Sequence, residues 1–475
     1  MIIDDLNKID QQDIFAIIIG SGPAGITTAI ELEKKKIKTL LIEAGGIKSN
    51  NDTKKFLKGS IIGDEYNDLS ICRLRQFGGA SGLWGGNCNP LNKENFKNWP
   101  IKKNDLESYD KSAKKILNLR YKENFYVENL SDNLNTYNLV WSNVKFAEKY
   151  FNHIKKSKYI YLSLNTSLLG LMGNSKTINS INCLKNNKKI ILKSKYYILS
   201  CGGIENSRLL LWSKEKNKEI FDDRLPIGQY YMDHPYYSIG EGLVLYEKFI
   251  SYFKRNNLNN IPILTCKNLI NISANNEFIK KNKILNVGLY FYFEKINENN
   301  NLFKQVRCVA PNFIKNIYEK SKVKEKYKIS IDILQEQKAI ANNKIELSDK
   351  KDPFGVPYPL IYWKKSELEK KSTRLIAEDL SKLFIDNDIG RISLSENLYN
   401  TEDYNVIAGN HQLGGTRIGS NENDSVVDKN LKVHDKDNLF INGSSIFRTG
   451  GHSHPTFTIV KLASRLANHL SILKG

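Results

Sequence analysis

The sequence predicts a mixed α/β chain, α+β overall, in which a parallel-sheet domain is joined to a second domain of antiparallel strands. Three observations predict it. The stretch "DIFAIIIGSGPAGITTAIELEKKKIKTLLIEAGG" at 13–46 reads as strand, tight turn, helix and strand. The stretch "KKIILKSKYYILSCGGIENSRLLLWS" at 188–213 gives two strands, a Gly-Gly turn and a helix beginning near Glu205. From about 236 to 345 the pattern turns to period two with many aromatics, as in "NVGLYFYFEKI" and "EKYKISIDILQEQ", which reads as antiparallel strands.

The first unit is Rossmann-like, and each of its glycines has a task. Gly20 makes the turn, Gly22 lets the backbone approach a pyrophosphate, and Gly25 lets the helix lie close to the sheet. The free N–H groups and positive end of the helix then face the phosphates. Glu43 ends the second strand at the distance where an acid reaches a ribose hydroxyl rather than a 2′-phosphate. These residues predict a bound dinucleotide, without choosing between NAD and FAD.

Next comes a polar stretch at about 47–68, then the glycine-dense segment "RLRQFGGASGLWGGNCNPL" at 73–91, a long loop of the kind that usually carries function. "NWPIKKNDLESYDKSAKKIL" follows as a turn and helix start, with Asp105 as the expected N-cap. The second glycine turn, at 201–203, is expected beside the nucleotide sheet. "SELEKKSTRLIAEDLSKLFIDND" at 366–388 has helical spacing. The expected division is 1–235 as the first part of the dinucleotide domain and 236–350 as a substrate domain. Residues 351–475 would complete the substrate domain and return to the first.

Four of the seven histidines lie between 411 and 454. His411 sits in the glycine-rich turn "GNHQLGGTRIG". His454 precedes Pro455 and an apolar-periodic segment, so it lies at or beside a helix N-terminus, whose positive end would keep the imidazole neutral, as a general base must be. His452, two residues away, is expected to point elsewhere, and His234 in "YMDHPYY" reads as a loop residue. "HSHP" alone is a poor metal site, so no metal is expected.

The chain has 475 residues, 40% hydrophobic, enough for a large core. The net charge of +20 comes mostly from lysines spread among acids, with no basic arm or zinc pattern, so a nucleic-acid partner is not expected. The six cysteines, at 72, 88, 183, 201, 266 and 308, form no framework, which suits a reducing compartment. The N-terminus lacks the pattern of a signal peptide and no apolar run is long enough to span a membrane, so a cytoplasmic location is expected.

Taken in order, "IIIGSGPAGITTAIELEKKKIKTLLIEAGG", "RQFGGASGLWGGNCNPL", "LSCGGIENSRLLL", "IGQYYMDHP", "HQLGGTRIG" and "VHDKDNLFINGSSIFRTGGHSHPTFTIVKLASRLANHL" resemble the motifs of the glucose-methanol-choline (GMC) oxidoreductases, and among them the shorter bacterial sugar and polyol dehydrogenase branch. The resemblance implies FAD as the cofactor. Gly20, Gly22, Ala24 and Gly25 would hold its ADP part, with Glu43 on the ribose. Arg75, Gly78, Gly79, Ser81, Trp84, Gly86 and Asn87 belong to the loop that would wrap the pyrophosphate and flavin. Gly443, Ser444, Pro455 and Thr456 would close over the ring. His411 and His454 match the catalytic pair.

Many relatives have Asn at the second position of that pair, where His454 stands, so the main base is left open between the two. The 78–88 loop has no histidine where some relatives attach FAD covalently, so non-covalent FAD is implied. The implied reaction is oxidation of a CH–OH group of a sugar, glycoside or polyol, the alcohol proton passing to histidine and hydride to flavin N5. The electron acceptor stays unknown, and an O₂-using oxidase or a non-redox lyase of the same scaffold are the alternatives.

Overall fold

The structure, a computed structural model, describes residues 1–119, 127–255, 270–295, 306, 309–313, 326–399 and 407–474. Cys266 and Cys308 lie outside them, whereas Cys72, Cys88, Cys183 and Cys201 are free thiols. Among the described residues no helix is long and apolar enough to cross a membrane.

A five-stranded parallel sheet carries the first domain, in the order Leu439–Ile441, Tyr196–Leu199, Ala16–Ile19, Thr39–Ile42, Ile160–Ser163. The three inner strands are buried on both faces, which explains their unbroken apolar runs. Ala16 is in register with Thr39 on one side and Tyr196 on the other, so the turns after both Ile19 and Leu199 leave the same sheet end. Helix Pro23–Lys34 packs between this sheet and the last helix, Thr456–Leu473. The helix expected near Glu205 starts at Gly203, and the strand before Tyr196–Leu199, Lys188–Leu192, belongs to a separate three-stranded sheet with Thr166–Gly173 and Ile178–Lys185.

The period-two region forms most of an eight-stranded antiparallel sheet. Its central strands are Pro235–Leu245, Lys326–Gln335, Val287–Lys295 and Ile270–Ala274. The sheet also takes Val127–Asn129, Leu134–Tyr137 and Gly390–Leu394 from distant parts of the chain. Alternation divides its two faces. Leu289, Phe291, Ile331 and Ile333 pack on helix Glu367–Asp386 through Ile376, Leu380 and Phe384, whereas Tyr290 points the other way. That helix has a capping box: Ser366 N–H donates to Glu369 Oε2 at 2.8 Å.

Asp105 is not an N-cap. It is the third residue of a 3₁₀ turn, Lys103–Tyr109, where its carboxylate accepts the Lys102 N–H at 2.8 Å, and the α-helix proper begins at Asp110.

Candidate active site

The site is built on turns that only glycine fits. Gly20 has φ +100°, and a Cβ there would stand 2.6 Å from the Ser200 carbonyl oxygen. A Cβ on Gly25 would stand 1.9 Å from the Gly20 oxygen, so the helix lies directly on the turn. At Gly22 the reverse holds: a Cβ would meet nothing within 4 Å, because that face opens into a cavity of about 590 Å³. Gly202, at the second glycine turn, is equally open and lines the same cavity.

Three helix N-termini meet there, of Pro23–Lys34, Gly203–Lys216 and Thr456–Leu473. Each brings unpaired N–H groups and the positive end of its dipole, which suits an anionic ligand. Glu43 is buried at the cavity wall; its carboxylate accepts from Ser21 N (3.0 Å), Ser21 Oγ (2.7 Å) and Gly45 N (2.9 Å). Burial raises its pKa and these three donors oppose the rise.

The glycine-dense loop lies beside the Gly20–Gly22 turn, with Gly78 N–H donating to the Ser21 carbonyl at 2.9 Å, and is pinned from outside the cavity. Ser81 Oγ donates to the Gly78 carbonyl (2.7 Å) and accepts from Phe146 N (3.2 Å), while Trp84 Nε1 donates to the Val144 carbonyl (2.9 Å). Gly86 has φ +90° and passes 142 so closely that a Cβ would be 2.1 Å from the Ser142 oxygen. Arg75 donates to Ser167 Oγ at 2.6 Å with its guanidinium 4.0 Å from the Phe56 ring centre.

Of the residues assigned to a cofactor from sequence, Gly20, Gly22, Ala24, Glu43, Arg75, Gly79, Ser81, Trp84, Gly86, Asn87, Gly443, Ser444, Pro455 and Thr456 line the cavity. Gly25 and Gly78 do not. Gly25 is used by helix packing, and Gly78 by a left-handed turn (φ +87°) against Ala147, whose backbone N would be 2.6 Å from a Cβ.

His411 and His454 come together at the cavity, ring centres 5.0 Å apart, from segments 43 positions distant in the chain. Asn87 Nδ2 donates to His454 Nε2 at 3.1 Å, joining the glycine-dense loop to the last helix. Pro455 is the N-cap of that helix, so His454 stands just outside it. His454 is held well below the ordinary histidine pKa, first by burial and then by His411, His234 and His452. Burial also pushes His411 down to about 4. Both rings are therefore neutral at pH 7.

His452 is buried against the Tyr137 ring (5.1 Å) and does not line the cavity. His234 does not line the cavity either, but it backs His411 there, a placement that the sequence reading missed. It is 1% exposed, with its Nδ1 2.8 Å from His411 Nδ1. Its neighbour Asp233 accepts the His411 backbone N–H at 2.7 Å and a hydrogen bond from the Tyr66 hydroxyl, which is also paired with Tyr231. Burial pushes the Asp233 carboxyl up to about 7. The only local signal was the dipeptide itself in "YMDHP", since its partner lies 177 positions on.

The polar face of the antiparallel sheet roofs these histidines. Tyr137, Asn271, Tyr290 and Asp332 are successive cross-strand partners and so share one face. Tyr290 stands edge-on to His454, ring centres 6.3 Å apart. The hydroxyls of Tyr137 and Tyr290 are buried against each other. Among the described residues no group of histidine, cysteine and carboxylate side chains is arranged to hold a metal ion.

Residues 339–463 match the family model described as GMC oxidoreductase. A stretch of 128 residues is 33% identical to the fructose dehydrogenase large subunit of Gluconobacter japonicus, covering 27% of this chain and 22% of that one. Another of 123 residues is 31% identical to the 2-methyl-1,2-propanediol dehydrogenase of Mycolicibacterium austroafricanum, covering 26% and 21%. The matches thus span about a fifth of the length of these curated relatives. Among solved structures, pyridoxine 4-oxidase from Mesorbium loti superposes with a TM-score of 0.64 at 13% identity, over 96% of this chain and 99% of that one. Formate oxidase of Aspergillus oryzae RIB40, in a structure concerned with FAD modification, gives 0.58 at 14% identity over 97% and 98%.

Proposed function

The chain belongs to the GMC oxidoreductase family, and from that premise we propose that it is an FAD-dependent dehydrogenase oxidising a CH–OH group of a sugar, glycoside or polyol. The observation that carries the reading is the meeting of two neutral, buried imidazoles, His411 and His454, at the cavity that the glycine turns also face. A neutral imidazole is what an alcohol proton needs as acceptor.

The residues fit FAD on what they leave open. Bare glycine faces at 22 and 202, three helix N-termini and a buried acid at Glu43 suit a pyrophosphate flanked by a ribose. The Gly20–Gly22 turn and Glu43 would hold the ADP part, the loop through Gly79, Ser81, Trp84, Gly86 and Asn87 the pyrophosphate and flavin, and Gly443, Ser444, Pro455 and Thr456 the ring. When bound, FAD supplies the hydride acceptor at N5. The 78–88 loop offers no histidine for a covalent bond, so attachment is non-covalent. Acid precipitation should then leave the flavin in the supernatant, and yellow colour in the pellet would overturn that part.

His411 takes the alcohol proton. Its Nε2 makes no hydrogen bond among the described residues, whereas His454 Nε2 is already engaged by Asn87. His454 lines the pocket beside it and orients the hydroxyl. Burial keeps water from protonating either ring. The polar row of Tyr137, Asn271, Tyr290 and Asp332 beside the histidines supports a substrate rich in hydroxyl groups. The dehydrogenase names of the two relatives at 31–33% identity favour an acceptor other than O₂.

The test is an anaerobic titration of the purified yellow protein with sugars, glycosides, polyols and simple alcohols. One class should bleach the flavin, and His411→Ala should slow bleaching by about 10²- to 10⁴-fold with flavin retained. Reoxidation should be fast with a dye or quinone and slow in air. A flavin that no alcohol bleaches would overturn the redox reading in favour of a lyase.

A further inference from the structure

We propose that His234 is a positioning residue that fixes the tautomer of His411, holding its proton on Nδ1 so that Nε2 keeps a lone pair towards the cavity. The proposal rests on the reading of His411 as the proton acceptor.

The geometry allows one proton between the two rings. Their Nδ1 atoms are 2.8 Å apart, so one carries hydrogen and the other accepts it. The surroundings of His234 decide which. Its Nε2 is fully buried and makes no hydrogen bond of ordinary geometry, but it packs on the Gly450 backbone, where a Cβ would stand 2.7 Å from it. Burial and His411 hold His234 well below the ordinary histidine value, and against them the backbone at Gly450 and Gly451 raises its proton affinity, as acceptors beside a ring N–H do. That favours a proton on His234 Nε2. Its Nδ1 is then the acceptor, and His411 Nδ1–H the donor.

The pairing is held by the backbone on either side. Leu413 and Met232 exchange N–H donors, both at 2.8 Å, Gly409 N–H donates to the His234 carbonyl at 2.7 Å, and His411 N–H donates to Asp233 Oδ1 at 2.7 Å. Asn410, at φ +62°, turns the chain between these contacts so that the His411 ring returns to His234.

The experiment labels the histidines of the flavin-loaded protein with ¹⁵N and reads their tautomers by long-range ¹H–¹⁵N correlation, assigning His411 with a His411→Asn variant. The expected result is His411 protonated on Nδ1 in the wild type and displaced from that form in His234→Phe. In His234→Asn the side-chain oxygen replaces Nδ1 as acceptor and should restore it. On a substrate that bleaches the flavin, His234→Phe should lower kcat about 10- to 100-fold with little change in KM, and His234→Asn should recover most of the loss. His411 protonated on Nε2 in the wild type overturns the proposal, as does equal loss in the Asn and Phe variants. If Phe prevents folding, the wild-type and Asn spectra still decide. If no alcohol bleaches the flavin, the functional reading fails, and the tautomer spectrum alone judges His234.

Discussion

Asn87 and His454 are joined by a hydrogen bond of 3.1 Å between the amide nitrogen of one and Nε2 of the other. It ties the glycine-dense loop to the start of the last helix. It also fixes the His454 ring in the pocket wall, where its other nitrogen is buried without a partner. A single such bond is worth about 0.5–1.5 kcal/mol.

Asn87→Ala should therefore lower kcat by roughly 3- to 10-fold, the rate equivalent of that bond, through a freely rotating His454 ring. Flavin content should fall less than the rate, because the rest of the loop stays pinned through Ser81 and Trp84. Steady-state kinetics beside the flavin-to-protein absorbance ratio would check it. Loss of flavin without loss of rate per flavin would contradict it.

Gly22 and Gly25 should part company when each is changed to alanine. The Gly22 Cβ enters open cavity, whereas the Gly25 Cβ would sit 1.9 Å from the Gly20 oxygen. Gly22→Ala should keep the apoprotein's stability and weaken flavin binding. Gly25→Ala should destabilise the apoprotein by about 1–3 kcal/mol, the usual cost of forcing a methyl into packed backbone. Denaturant melts of both apoproteins, with flavin titrations, separate the two effects.

Stability should rise between about pH 4 and pH 6.5. His234, His411, His452 and His454 all have folded values below the ordinary one, chiefly through burial, and those of His411 and His452 are about 4. Below about pH 6.5 the unfolded chain takes up protons that the folded chain refuses, so this stability is present above that value and lost as pH falls towards 4. Asp233 acts in the opposite sense, since its folded value of about 7 exceeds 3.8 and its contribution declines as pH rises between them. Burial likewise raises Glu43 and Glu336, but His434 and His469 are also lowered, so six histidines against three carboxyls leave a net gain with pH. The denaturation midpoint should climb from pH 5 to pH 7, and the climb should be shallower in His452→Phe. A flat profile would mean that the rings are solvated.

The amino-acid sequence alone determined what short-range chemistry determines. Apolar runs set by burial on both faces, glycines at positive φ, and the Ser366–Glu369 cap all act within a few residues, so 13–46 and 366–388 were legible without a structure. The motifs at both ends of the chain likewise pointed to His411 and His454. Tertiary structure decided whatever depends on register between distant segments. Strands from 127–137 and 390–394 complete the antiparallel sheet, Asp105 gives way to Lys102 as a helix boundary, and Gly78 serves a turn rather than the cavity wall. Above all, it brought Asp233 and His234 to His411 across more than 170 positions and set the charge state of the histidines by burial. The reason is physical: a turn or cap is stabilised by neighbours in the chain, whereas a shared proton and a desolvated ring exist only once remote segments have packed.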